Sequence, residues 1–128
     1  MRSDRVARAL AALLLSAACA APAAAVTCAA NATTLCLQQN RFAVAATWTT
    51  ADDRYGDGRA LPLTAEAGFF WFFDPENVEL VVKVLDACSL ATPHFWVFAA
   101  GLTDVAVPLT VTDTATGRVR TYSNPGGT

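Results

Sequence analysis

The sequence predicts an all-β protein, a small antiparallel β-sandwich of the Ig-like kind, with no helix after its leader. Three observations carry that prediction. Apolar residues alternate with a period of two in several runs of five to eight residues, as half-buried strands require. Turn-forming Gly, Pro, Asp and Asn separate those runs at regular intervals. No stretch beyond residue 25 shows a 3.6-residue period.

The first residues read as an export signal rather than as part of the fold. Arg2, Arg5 and Arg8 precede the apolar run Ala9–Ala18, and Pro22 and the small residues up to Ala25 follow, giving charged, apolar and cleavage regions in order. Cleavage is expected after Ala25, with residues 26–128 forming one domain. A buried N-terminal helix would lack a polar face, and the strongly apolar part is shorter than the roughly 20 residues a membrane span needs. Lipid attachment at Cys19 is a weaker reading, because Leu15 stands four residues before the cysteine and not three. The mature chain of about 103 residues carries a net charge of roughly −4, which excludes a basic nucleic-acid footprint. Export places the protein in a secreted or periplasmic compartment, where cysteines pair. Cys28 and Cys36 are close enough in sequence to form a bridge, leaving Cys88 as a buried free thiol or paired beyond Thr128. A zinc site has little support, with no C-x-x-C pair and only His94 as an imidazole.

The first strand falls at 42–48, with Phe42, Val44, Ala46 and Trp48 on one face. Residues 51–58 read as a polar, Gly-containing loop. The aromatic run 69–73 and the run 78–85 form a hairpin around a turn at Asp74–Asn77. A short strand is expected at 95–98, and runs 105–112 and 118–122 flank a turn that ends at Gly117. Pro108 cannot donate a ladder hydrogen bond, so its strand is expected at an edge or with a bulge.

The runs Phe70–Asp86 (FWFFDPENVELVVKVLD), Phe95–Phe98 (FWVF), Gly101–Val105 (GLTDV) and Leu109–Gly117 (LTVTDTATG) resemble a family of uncharacterised exported bacterial domains. Leu35–Leu37 and Asn40–Phe42 fit the same pattern, so the resemblance spans nearly all of residues 28–126. It implies a class and no mechanism. It also implies a further segment after Asn124–Gly127, in some members ending in a cysteine that accompanies the one at Cys88. Ala87, Pro93 and Pro108 depart from the family's usual Gly, Gly and strand former.

Catalytic signals are sparse. His94 lacks a partnered nucleophile, and no Gly-x-Ser-x-Gly or His-Glu-x-x-His motif occurs. Asp52, Asp53, Asp57, Asp74, Glu76 and Glu79 lie in turn sequences, where carboxylates bond neighbouring backbone. Asp53, Tyr55, Asp57 and Gly58 give a partial calcium-loop spelling without its distal Glu. Asn31–Thr33 spells a glycosylation sequon, of no consequence behind a bacterial-type leader. Arg118 and Arg120 are expected on an outward, solubilising face. The aromatics pose the sharper question. Phe69, Trp71 and Phe73 alternate with Phe70 and Phe72, and a sandwich buries one face of each sheet. Phe69, Trp71, Phe73 and Trp96 are therefore the candidate binding face. The expectation is a non-catalytic exported module without a cofactor, recognising a protein or glycan partner. The competing expectation is a structural end-domain of a larger exported protein.

Overall fold

The computed structural model describes Cys19 and residues 27–127, and the expected leader and its cleavage site lie outside these residues apart from Cys19. Nine strands form two antiparallel sheets packed together, and the described residues contain no helix. The first sheet orders β1 (Leu35–Leu37), β2 (Phe42–Thr49), β8 (Val107–Asp113) and β9 (Arg118–Asn124), with β3 (Tyr55–Asp57) paired to the far end of β2. The second orders β4 (Arg59–Pro62), β5 (Ala67–Trp71), β6 (Leu80–Ala87) and β7 (His94–Gly101).

The core forms where the period-two patterns of the two sheets meet. Phe42, Val44 and Ala46 of β2 join Leu109 and Val111 of β8 against Phe70 of β5 and Leu80, Val82 and Val84 of β6. Gly68 sits on the inner side of β5, where a Cβ would lie 2.5 Å from both Leu35 methyl groups. Its missing side chain is what lets Leu35 settle onto that sheet. The turn after β8 is fixed by Asp113, whose main-chain oxygen accepts from Gly117 N at 2.7 Å while Gly117 takes φ +76°.

Several expectations change. The segment expected as a loop at 51–58 supplies β3, and β4 follows it at once. The β5–β6 connection runs from Phe72 to Glu79 and not only over Asp74–Asn77, because Phe72 leaves the ladder to fill the core and Phe73 turns onto Trp48. Pro108 lies in an interior strand, yet it falls in a gap of the β2–β8 ladder between the Ala46–Leu109 pair and the Thr49–Ala106 bridge. The missing N–H thus coincides with the interruption of that ladder, which resumes at the Thr49–Ala106 bridge. Arg118 and Arg120 pair with Asp113 and Val111, which puts them on the core-facing side of β9. Both are nevertheless exposed.

Two disulfides close the described chain. Cys28 is joined to Cys36, bracing β1 against the loop before it. Cys88 is joined to Cys19, so it is neither a free thiol nor in need of a partner beyond Thr128 in the 128-residue chain. The leader reading removed Cys19 from the count and so concealed this pair. Both bonds fit a compartment outside the reducing cytosol, and no helix among the described residues is long and apolar enough to cross a membrane.

At the same end of the sandwich, Arg41 ties the sheets together. Its guanidinium forms a two-pronged pair with Asp113, at 2.9 Å for both Nε–Oδ1 and Nη2–Oδ2. It also lies 4.7 Å from the ring centre of Phe95, on the opposite sheet.

Candidate functional site

The outer faces of the two sheets differ in chemistry. On the first, the outward positions of β2, β8 and β9 carry Ala43, Ala45, Thr47, Thr110, Thr112, Thr121 and other small residues. On the second, the strand register assembles Leu61, Phe69, Trp71, Val81, Leu85, Trp96 and Phe98 on one surface. Leu61 pairs with Phe69 and Phe69 with Val81, while Leu85 pairs with Trp96 and Lys83 with Phe98. Trp96 is 37% exposed, Phe98 51% and Leu61 38%, and the rest are half-buried against one another. Trp96 and Phe98 meet edge to face with ring centres 6.4 Å apart. With about 3.4 Å per residue and about 5 Å between strands, the band from Trp71 to Trp96 runs diagonally for about 20 Å. Lys83 stands in its middle, and Arg59 opposite Trp71 marks one end.

The four sequence candidates divide. Phe69, Trp71 and Trp96 share this surface. Phe73 does not, since its ring packs 4.6 Å from that of Trp48, past the end of β5. Trp48 has a buried indole N–H without a hydrogen-bond partner among the described residues, stacks on Phe72 and leaves room for no side chain at Gly56. Sequence reasoning missed Leu61, which follows the loop expected at 51–58 in a stretch assigned to no strand, and Phe98. The signal for Phe98 was present, because it stands two residues from Trp96 in one strand and so shares its face.

The carboxylates act as turn locks. Asp52 accepts from Thr50 Oγ1 at 2.6 Å and from Arg54 Nε, and these bonds, the Thr50 one foremost, hold its carboxyl below the usual range. Asp74 Oδ1 accepts from Glu76 N at 2.9 Å, and the buried Glu79 accepts from Asn77 Nδ2. Burial pushes the Asp113 carboxyl up, and the Arg41 hydrogen bonds, helped by Ala115 N and Thr116 Oγ1, more than reverse this and leave it lowered. Tyr55 and Asp57, from the calcium-loop spelling, are exposed on β3. Among the described residues no three His, Cys, Asp or Glu side chains converge as a metal site would require. His94 is exposed at the start of β7. Asn31 Oδ1 accepts from the main-chain N–H groups of Thr33 and Thr34, closing a turn.

No family model, no curated protein and no solved structure matches this chain.

Proposed function

We propose that the protein is a non-catalytic exported recognition module that binds a partner through the outer face of the β4–β7 sheet. One observation carries the reading. Four strands of the same sheet gather large apolar side chains on their outer face, while the outer face of the other sheet is mainly small and hydroxylated, with Val119 and Tyr55 as its large exposed side chains. An exposed aromatic and aliphatic surface of this extent is characteristic of an interaction site. A protein partner is favoured over a polysaccharide. Leu61, Val81 and Leu85 interleave with the aromatics, and only Arg59 and Lys83 offer the polar atoms a sugar's hydroxyls would need.

The test compares wild type with the double variant Trp96→Ser/Phe98→Ser, both immobilised, against the exported-protein fraction of the source cells and an array of cell-envelope glycans. A defined protein retained by wild type and lost at least tenfold by the variant, at an unchanged unfolding midpoint, supports the reading. Equal retention by both, or none, contradicts it. Variant-sensitive glycan binding would keep the face and change the ligand class.

A further inference from the structure

A second surface lies on the other side of β7. Among the described residues, β7 and β9 end their respective sheets, each paired on one side only. Between them the sandwich stays open as a cleft of about 360 Å³, lined by Leu80, Val97, Ala99, Leu109 and Tyr122. By register these are core-facing positions. Ala99 pairs with Val82, and Tyr122 with Leu109, both fully buried partners. Ala99 and Tyr122 nevertheless remain exposed. At one end Asn124 closes against Gly101, where a Cβ would stand 2.9 Å from its Nδ2. Towards the other end, the same side of β9 presents Arg120 and Arg118, which form no ion pair among the described residues. Both arginines are exposed, so they offer a cationic end to the cleft that an acidic partner group would complement. The outer edges of β7 and β9 pair with no further strand among the described residues, and such an edge can take an added strand.

We propose that this cleft takes an extended peptide segment of a partner chain by strand addition, with small apolar side chains over Val97 and Leu109 and acidic ones towards Arg118 and Arg120. The surface is distinct from the aromatic face, although β7 contributes to both.

The probe is a fluorescein-labelled heptapeptide, Val-Thr-Val-Thr-Glu-Thr-Glu, whose alternate residues present two valines and then two glutamates. Its lysine counterpart, Val-Thr-Val-Thr-Lys-Thr-Lys, is the control. Saturable anisotropy binding of the acidic peptide, weakened roughly tenfold or more by Ala99→Trp and by Arg120→Glu, is expected. Both substitutions lie at exposed positions, and unchanged unfolding midpoints establish that the variants fold. Trp96→Ser/Phe98→Ser should leave this binding intact, which separates it from loss of the aromatic face. Equal affinity for the lysine peptide, indifference to both cleft substitutions, or no binding up to about 1 mM would overturn the proposal. Exchange protection of those β7 and β9 amides that face away from β6 and β8, in the peptide-free protein, would also overturn it, by showing the cleft already filled. Protection lost on dilution would identify the occupant as a second copy.

Discussion

Asp113 is the residue on which most separate elements depend, since it caps its own turn and anchors Arg41 between the sheets. Asp113→Asn is expected to lower stability by about 1.5–3 kcal/mol, as a charge-assisted bond that is mostly buried would. Its carboxyl is lowered in the folded state, so its contribution is complete above the unfolded value near 4 and is lost as pH falls from there through the folded value. Denaturant melts between pH 6 and pH 2 should show wild type losing stability below about pH 4, with a shallower loss in Asp113→Asn. Gly68→Ala should cost about 1–3 kcal/mol, because the added methyl meets Leu35 and the Leu61 carbonyl with little room to give. The cysteines make a count that any thiol reagent can read. The denatured, unreduced 128-residue chain should titrate no free thiol, whereas a chain beginning at Val26 should titrate one, Cys88. The Cys28–Cys36 pair was legible because its loop is local. The Cys19–Cys88 pair spans 69 residues and uses a cysteine that the leader pattern assigns to removal.

At the scale of elements, legibility followed side-chain contrast. β2 could be read from sequence because bulky and small residues alternate along it, and Phe42, Val44 and Ala46 do face the core. β3 and β4 could not, since three- and four-residue strands rich in Gly, Asp and Arg carry no period. In β9 the period is present, but both sets of side chains are largely polar, so the pattern cannot say which set faces inward. Only pairing with the apolar β8 decides it. The aromatic run of β5 is the converse case: two apolar faces, of which the structure buries the one bearing Phe70. Truncation separates them. Phe70→Ala should cost about 3–5 kcal/mol, and Phe98→Ser should stay within about 0.5 kcal/mol. Chemical denaturation of the two variants checks this, and similar losses in both would mean that the outer face is part of the core.

At the scale of the molecule, the sandwich presents one small-residue face, one aromatic-aliphatic face and one open side between its two end strands. That division of surfaces is what supports the recognition role proposed for the outer face of β4–β7. Which face would be apolar could be anticipated from Phe69, Trp71 and Trp96, whereas Phe73 was misplaced because alternation was carried past the end of β5, where the backbone turns towards Trp48. The most direct measurement is hydroxyl-radical footprinting of the protein, first purified and then in the native fraction of the source cells that contains it. The account predicts that Trp71, Trp96 and Phe98 are modified in the purified protein and become protected in the native fraction, while Tyr55, 82% exposed on β3, is modified equally in both. Unchanged modification of the three aromatics would contradict a recognition role for that face.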